Sequence, residues 1–260
     1  MTEGYALVTG ASAGLGAEFA RQLAAKGLNL LLVARREERL QTLAGTLNQE
    51  FGVTVKTLVA DLAQPSAPLQ IQQFCHENTL QIDWLVNNAG IAGPDLLTDR
   101  DWHEQRDFFQ LMMLSVVELC HRLVPAMVAR GFGRVVNVAS VAGRIPRSGG
   151  CNYGPSKAYL IAVSEELNLT VAGQGVHVTA LCPGFTHTDF HETAGLADMK
   201  AGMPSWLWYG ADTVVGEAIR GVEDGKSIVV SGRLYRWLDP LFQSIWTRRF
   251  FRIKARPEKV

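Results

Sequence analysis

Seven short apolar runs, each rich in residues that favour strands, alternate with longer segments of helical period along this chain of 260 residues. The intervening helix candidates span about residues 15–26, 37–50, 66–79, 100–130, 153–172 and 211–222. Strands that are apolar on both faces and separated by helices favour a parallel sheet covered on both sides. With right-handed crossovers, this order predicts a doubly wound α/β fold. The strand candidates are Tyr5–Thr9, Leu28–Val33, Val53–Val59, Ile82–Val86, Arg134–Val138, Val176–Leu181 and Ile228–Val230.

Two regions depart from this alternation. Residues 184–210 have no clear period, and a long irregular insert in a compact domain is usually functional, so we expect a substrate lid there. In the tail, residues 233–260, Asp239-Pro240 predicts a helix N-cap followed by proline at the first helical position. No repeat or linker divides the chain, which predicts a single domain over residues 1–260. The tail then carries an apolar stripe and a basic stretch: Leu241, Phe242, Ile245 and Trp246, followed by Arg248, Arg249, Phe250, Phe251 and Arg252.

Composition narrows the class of protein. The formal net charge is zero, so nothing recommends nucleic acid as a partner. The chain shows neither a secretory signal nor an apolar run approaching the length that crosses a bilayer. Four scattered cysteines are typical of buried thiols in a reducing compartment, which favours the cytoplasm. They are Cys75, Cys120, Cys151 and Cys182.

A glycine-rich turn, Thr9-Gly10-Ala11-Ser12-Ala13-Gly14-Leu15-Gly16, separates the first predicted strand from the first helix. Glycines let the backbone approach a pyrophosphate, and the helix N-terminus offers N–H groups and a positive dipole end. No Lys-Ser/Thr pair follows the last glycine, which argues against a nucleoside triphosphate loop. A plain tight turn is the alternative, but the position between strand and helix favours a dinucleotide site.

The end of the second predicted strand bears on the cofactor. An acidic residue there would bind the adenosine ribose of NAD, whereas this chain has Ala34-Arg35-Arg36. Two guanidinium groups are available to pair with a 2′-phosphate. A solvated arginine pair is the alternative, although a helix N-terminus is a poor place for positive charge. This electrostatic argument favours NADP(H).

Three further motifs follow in order: Asn87-Asn88-Ala89-Gly90, Ser140 at the end of the fifth predicted strand, and Tyr153-Gly154-Pro155-Ser156-Lys157 at the start of a helix. With the glycine turn, Asp61 and Pro183-Gly184, they resemble the short-chain dehydrogenase/reductase family over about Tyr5 to Thr188. The resemblance implies a Rossmann-type fold and an oxidoreductase that acts on carbonyl and alcohol groups. It also implies a homodimer or homotetramer.

The chemistry explains the residue types. Reduction of a carbonyl places a hydride on carbon and a proton on oxygen, and a phenol with an ordinary pKa of ~10 is a reluctant base. Lys157 lies one helical turn after Tyr153, so its charge can stabilise tyrosinate. The resemblance makes Tyr153 the acid/base, lets Lys157 hold the nicotinamide ribose, and lets Ser140 orient the substrate oxygen.

The remaining expected cofactor contacts follow from the glycine turn, the arginine pair and the resemblance. In the family, Asp61 meets the adenine amino group, Asn88 and Gly90 line the adenosine side, and Thr188 meets the carboxamide or phosphates. The turn at Asn87–Gly90 also has a structural interpretation. The full expected set is Gly10, Ser12, Gly14, Leu15, Gly16, Arg35, Arg36, Asp61, Leu62, Asn88, Ala89, Gly90, Tyr153, Lys157, Pro183, Gly184, Thr186 and Thr188.

One position departs from the family pattern. Members usually carry an asparagine in the helix before the fifth strand, and we place that position at Met112, with Ser115 or Gln110 as substitutes if the alignment slips. Methionine cannot make the hydrogen bonds of an asparagine side chain. The family position supports a proton relay largely through its backbone carbonyl, so we expect activity to persist at the same or a reduced rate. The alternative is a dinucleotide-binding scaffold or regulator with weak catalysis.

Other candidate residues have plainer interpretations. His187, Asp189 and His191 could suggest a metal, but a pocket-lining loop is favoured and no metal is expected. Cys151 is expected in the pocket wall. Arg144 and Arg147 could attract an acidic substrate, although exposed loop arginines are commoner.

The lid composition suggests a bulky, largely apolar substrate, although such segments also pack on their own core. The relevant residues are Phe185, Met199, Met203, Trp206 and Trp208. For the tail, packing against the domain or a neighbouring subunit is favoured over contact with a membrane surface.

Overall fold

The computed structural model describes residues 4–146, 152–187, 207–247 and 250. The strands are β1 (Tyr5–Thr9), β2 (Asn29–Ala34), β3 (Val55–Val59), β4 (Ile82–Asn87), β5 (Gly133–Val138), β6 (Val176–Cys182), β7 (Phe185–Thr186), β8 (Trp208–Tyr209) and β9 (Ile228–Val230). The α-helices are α1 (Gly14–Ala25), α2 (Glu37–Phe51), α3 (Ala67–Glu77), α4 (Trp102–Phe109), α5 (Ser115–Arg130), α6 (Tyr153–Val171), α7 (Ala211–Glu223) and α8 (Arg233–Gln243).

Seven strands form one parallel sheet in the order β3-β2-β1-β4-β5-β6-β9. Helices cover both faces, so the predicted doubly wound, Rossmann-type fold is confirmed. Each predicted strand of this sheet begins and ends within two residues of its observed bounds. Long apolar runs therefore located the strands well, because both faces of a parallel sheet are buried.

Alternate residues of each strand enter opposite layers of the core. In β1, Ala6 and Val8 join the layer that contains Phe19 of α1 and Val215 of α7. Leu7 points the other way, into the layer of α3 and α5. This period of two follows from the pleat of a strand and anchors β1 between the two helical layers.

The segment predicted as one helix over 100–130 is divided by a π-helical stretch, Gln110–Leu114, between α4 and α5. Such stretches insert one residue into a helix and occur frequently at functional sites. By length and composition, the continuous helical segment Trp102–Arg130 could cross a membrane, contrary to the expectation that no apolar run approaches that length. Half of its most apolar window is buried, and α5 packs on α3 and the sheet, as expected of a core helix.

The start and end of the irregular segment are ordered by a small second sheet. Strand β7 pairs with β8 in parallel, Phe185 opposite Trp208 and Thr186 opposite Tyr209. The sequence analysis predicted neither strand, because two residues are too few to show a period. Most of the predicted lid lies outside the described residues.

The predicted start of the tail helix, with Asp239 as its N-cap and Pro240 as its first residue, is wrong. Helix α8 begins at Arg233, and Pro240 lies inside it with Asp239 one residue before. The Asp239 carboxylate forms an ion pair with Arg144 and caps no helix. This contact and the burial of Tyr235 and Phe242 stabilise the helix. Their contribution outweighs the one backbone hydrogen bond that is lost because Pro240 has no N–H.

The apolar stripe expected in the tail is also divided. Phe242 is buried against the domain, whereas Leu241 on α8 is exposed. Ile245 and Trp246 follow the end of α8 and are exposed too. Within its described residues, helix α8 therefore packs on the domain through the side that carries Tyr235 and Phe242.

Candidate active site

The glycine turn and the Asn87–Gly90 turn meet at the carboxyl ends of β1 and β4. These strands are neighbours in the sheet although the chain forms β2 and β3 between them. Dinucleotides bind at such a switch point in open α/β sheets. The Asn88 amide donates to the carbonyls of Thr9 at 3.0 Å and Gly10 at 3.2 Å. The side chain of Asn88 thus fixes the glycine turn.

Two glycines are required by close packing at this junction. Gly10 has a positive φ of 64°, and a Cβ there would lie 2.9 Å from the Cα of Ala89. A Cβ on Gly16 would lie 2.3 Å from the carbonyl oxygen of Gly10. Only glycine fits either position without moving the backbone. The two turns therefore form one rigid unit.

The N-terminus of α1 fits a pyrophosphate. Its N-cap is Ala13, which makes no side-chain cap, and the first turn of the helix contains no acidic residue. The backbone N–H groups that open this helix are therefore not taken by a capping side chain. Nearby, Gly14 has a φ of 55° that L side chains rarely adopt. The turn has the geometry needed to hold the phosphates of a dinucleotide.

Arg36 extends across the glycine turn. Its Nη2 and Nε donate to the Ser12 hydroxyl at 2.9 and 3.2 Å. Arg35 and Arg36 are both exposed, and β2 ends at Ala34 without a carboxylate. The structure thus brings Arg36 to the glycine turn, where its charge suits an anionic group.

Asp61 and Leu62 follow β3 at the same edge. One Asp61 oxygen accepts the Ala63 N–H at 3.0 Å. The Leu62 side chain is buried in the core, so it can meet a cofactor through its backbone alone. Leu15 likewise packs its side chain on the core.

The short 3₁₀ turn Val141–Gly143, which follows Ser140, packs on the start of α6. The Ser140 hydroxyl accepts the Ala142 N–H at 3.1 Å and so caps this turn. A Cβ on Gly143 would lie 2.7 Å from the Ala158 nitrogen, and one on Gly154 would lie 2.9 Å from the Ala142 oxygen. This packing brings the loop of Ser140 against the helix that carries Tyr153 and Lys157.

Lys157 is buried beneath Tyr153. Its ammonium donates to the Val138 carbonyl at 2.7 Å and lies 5.7 Å from the centre of the Tyr153 ring. Burial lowers the pKa of Lys157 from its ordinary value to about 8, an effect that the nearby Cys182 slightly offsets. An ammonium group has three donors, so two remain for other acceptors. The positive charge is therefore held next to the phenol ring.

Met112 lies in the π-helical stretch and is fully buried. Its sulfur accepts the Ile91 N–H at 3.4 Å. A Cβ on Gly90 would lie 3.2 Å from this sulfur and 3.8 Å from the Lys157 ammonium. Met112, which departs from the family pattern, thus lies near Lys157 and accepts a hydrogen bond from the backbone.

Sequence reasoning missed two contacts that hold the site together. The Thr9 hydroxyl accepts the N–H groups of Asn88 and Ala89 and donates to Val86. The Asp239 carboxylate pairs with Arg144, four residues after Ser140. Arg144 is therefore not an exposed loop arginine, and its charge is already neutralised. No local pattern signals a partner so distant in the sequence.

The remaining candidates lie at the edge of the described structure. The Pro183 carbonyl accepts the Val141 N–H at 3.0 Å, and Gly184 packs against the Tyr235 ring. Thr186 is buried, and its hydroxyl donates to the Gly184 carbonyl. The His187 ring lies 5.2 Å from that of Trp208. Other candidates fall outside the described residues: Thr188, Arg147, Cys151, Asp189, His191, Met199, Met203 and Trp206.

The comparisons with known proteins agree with this geometry. The family model described as short chain dehydrogenase matches residues 4–198. The chain belongs to the short-chain dehydrogenase family. It is 37% identical over 189 residues to sulfoacetaldehyde reductase 2 of Chromohalobacter salexigens, which covers 71% of this chain and 73% of that protein.

Solved structures of short-chain dehydrogenases have the same fold. A short-chain dehydrogenase from Sphingobium yanoikuyae in complex with NADPH is 30% identical, with a TM-score of 0.81 over 99% of this chain and 98% of that one. The bulky-bulky ketone specific alcohol dehydrogenase from Comamonas testosteroni is 26% identical, with a TM-score of 0.78 over 99% and 96%. This short-chain dehydrogenase is an oxidoreductase that uses a nicotinamide cofactor and acts on CH–OH and C=O groups.

Proposed function

We propose that this chain is an NADP(H)-dependent carbonyl reductase whose acid/base is Tyr153. The observation that carries the proposal is the packing of the Ser140 loop on the first turn of α6, with the Lys157 ammonium buried beneath the Tyr153 ring. Three side chains suited to carbonyl chemistry thus come from two adjacent segments at the carboxyl edge of the sheet, beside the glycine turn.

Each side chain has one task in the proposed reaction. When bound, the nicotinamide supplies the hydride that reduces the carbonyl carbon and is itself oxidised. The Tyr153 hydroxyl gives its proton to the carbonyl oxygen, which becomes the alcohol. The Lys157 ammonium stabilises the resulting tyrosinate, because it lies close to the ring in a region shielded from water. The Ser140 hydroxyl donates to the substrate oxygen and orients it.

Arg36 supports NADP(H) over NAD(H). A 2′-phosphate adds negative charge at the adenosine ribose, and Arg36 is already drawn to the glycine turn by Ser12. A structural neighbour is described as an NADPH complex. Asp61, Gly90 and the N-terminal turn of α1 complete the proposed cofactor contacts, with Asn88 holding the turn rather than contacting the cofactor through its amide.

We propose a bulky, largely apolar ketone or aldehyde as the substrate. The aromatic side chains of Phe185 and Trp208 pack 5.2 Å apart where the lid begins and ends, close to Gly184. A structural neighbour is described as specific for bulky-bulky ketones. An apolar wall beside a few polar groups is the usual construction of a small-molecule site.

The test is NADPH oxidation against a panel of ketones and aldehydes that vary in size and polarity. The variant Tyr153→Phe removes only the hydroxyl, and Tyr159→Phe is the matched control, since Tyr159 lies on the same helix but is partly exposed. We expect Tyr153→Phe to abolish turnover while NADPH still binds, as measured by its fluorescence, and Tyr159→Phe to react normally.

Two results would overturn the proposal. Turnover that persists in Tyr153→Phe would assign the proton transfer to another group. Wild-type protein that binds NADPH but reduces no member of the panel would favour the alternative, a dinucleotide-binding scaffold or regulator. The retention of Ser140, Tyr153 and Lys157 argues against that alternative.

We further propose a cytoplasmic homodimer or homotetramer of one domain per chain. Among the described cysteines, Cys75, Cys120 and Cys182 are free and buried, as expected in a reducing compartment. Leu169 of α6 and Leu114 beside α5 expose apolar surface suited to a contact between long helices. Light scattering coupled to size-exclusion chromatography measures the assembly, and a monomer at micromolar concentration would contradict it.

A further inference from the structure

Helix α8 exposes an apolar face that the domain leaves uncovered. Trp237 and Leu241 lie four residues apart on one side of the helix, opposite the buried Tyr235 and Phe242. Trp237 is 75% exposed. Exposed tryptophan is costly in water unless a partner covers it, so such a face marks an interaction surface.

The apolar surface continues beyond the end of α8. Ile245 is 84% exposed and Trp246 is 77% exposed. With Trp237 and Leu241 they make up what we call the tail face. Tryptophan side chains prefer the boundary between water and a lipid bilayer, because the ring is apolar and its N–H can remain hydrated.

Charge distinguishes among the surfaces that could cover the tail face. In α8, the single acidic residue is Asp239, and Arg144 already pairs with it on the inner side. Arg233 is exposed and lies four residues before Trp237, on the same side of the helix. The chain then adds one acidic residue, Glu258, and six basic ones: Arg248, Arg249, Arg252, Lys254, Arg256 and Lys259.

We propose that the tail face docks on the surface of a bilayer rich in anionic lipid. Tryptophan and aliphatic side chains would enter the interface while the basic residues meet lipid phosphates. A second copy of this chain fits less well, because two tails meeting about a two-fold axis would bring like charges together. The neutral net charge of the whole chain shows that the basic charge is concentrated locally.

The attachment of α8 places this docked surface beside the active site. Asp239 pairs with Arg144, and Gln243 donates to the Arg144 carbonyl at 3.1 Å, which ties the helix to the loop after Ser140. The Tyr235 hydroxyl donates to the Leu207 carbonyl at 3.2 Å, at the end of the lid. Docking through the tail face would therefore bring the loop after Ser140 close to the bilayer.

The test is sedimentation of the full-length protein with vesicles, either of phosphatidylcholine alone or of equal parts phosphatidylcholine and phosphatidylglycerol. We expect binding to the mixed vesicles that weakens with added salt, and little binding to phosphatidylcholine alone. The double variant Ile245→Glu/Trp246→Glu should lower the bound-to-free ratio by about tenfold or more. Leu97→Glu is the matched control, because Leu97 is 85% exposed in a different part of the molecule and should not matter.

Three outcomes would overturn the proposal. A failure of the wild-type protein to sediment with the mixed vesicles would overturn the proposal directly, whatever the variants show. An equal loss of binding in Leu97→Glu would show that the contact is not specific to the tail face. The third outcome is that the double variant dissociates an oligomer, as measured by light scattering, while the wild type binds no vesicles. The tail face would then be an interface between copies of the chain.

Discussion

The Met112 sulfur accepts a hydrogen bond from the Ile91 backbone N–H at 3.4 Å, at the point where the turn after β4 passes the buried Lys157. In the family an asparagine usually occupies this position. The sulfur therefore supplies an acceptor to this N–H, although a thioether is a weaker acceptor than an amide.

Two substitutions of Met112 distinguish the contribution of this hydrogen bond from that of side-chain packing. Met112→Leu preserves volume but leaves the Ile91 N–H without an acceptor, which should cost about 1 kcal/mol of unfolding free energy and lower kcat. Met112→Asn restores an amide acceptor at the expense of apolar volume, so kcat should equal or exceed the wild-type value despite lower stability. Steady-state kinetics and urea unfolding measure both quantities. If kcat and stability fall in parallel in the two variants, Met112 contributes only through packing in the core.

Arg36 should discriminate between the two nicotinamide cofactors. Removing the guanidinium in Arg36→Ala takes away a charge-assisted contact to a 2′-phosphate, so kcat/KM for NADPH should fall by about tenfold to a hundredfold. The value for NADH should change little, since that cofactor has no 2′-phosphate. Arg39→Ala is the control, because Arg39 is an exposed arginine on the same helix. An equal fall with both cofactors would show that Arg36 acts on the glycine turn alone.

Lys157 should make stability depend on pH. Its pKa is about 8 in the folded chain against 10.5 when unperturbed, so between these values the unfolded state binds more protons. The free energy of unfolding should therefore rise with pH in this window, by roughly 3 kcal/mol, relative to Lys157→Met. Chemical denaturation of the cofactor-free protein across pH 7–11 measures this difference.

Comparing variants is necessary because other groups titrate in the same range. Burial raises the pKa values of Cys75, Cys120 and Cys182 to about 12, which opposes the effect of Lys157 as pH rises above the ordinary thiol value. The contributions of Cys75 and Cys120 cancel between wild type and Lys157→Met, whereas that of Cys182 changes with the variant because Cys182 and Lys157 interact. Lys226→Met, which changes an exposed lysine, is the control. A flat difference for Lys157→Met would show that burial does not depress its pKa.

The ion pair of Arg144 and Asp239 should couple α8 to the active site. Asp239→Asn leaves a largely buried guanidinium without its counter-charge and should cost about 3 kcal/mol of unfolding free energy. Because Arg144 follows the Ser140 loop, kcat should fall as well. Asp224→Asn breaks the exposed pair with Lys226 and should cost less than about 1 kcal/mol.

A double-mutant cycle tests whether the two charges act as a pair. If they do, Arg144→Ala combined with Asp239→Asn should be little worse than either change alone. Additive losses would mean that each side chain contributes separately. A loss of stability without any change in kcat would contradict the proposed link between α8 and the Ser140 loop.

The sequence alone determined the order of strands and helices, because burial of both sheet faces imposes long apolar runs between helical segments. It also determined the glycine turn and the succession of Ser140, Tyr153 and Lys157, since backbone clearance and one helical turn are local requirements. The structure places these motifs at one edge of the sheet. Their catalytic and cofactor-binding roles remain proposals that follow from the residue types.

Tertiary structure decided the contacts that join distant segments. The Asp239-Pro240 pair has the local pattern of a helix start, yet Asp239 pairs with Arg144, 95 residues earlier in the chain, and α8 continues through the proline. Asn88 supports the glycine turn, 78 residues away. Such partners are set by how crossovers bring chain segments together, a global property of the fold. Local sequence patterns therefore predicted the helices, the strands and the candidate chemical groups. The contacts between residues far apart in the chain were decided by tertiary packing alone.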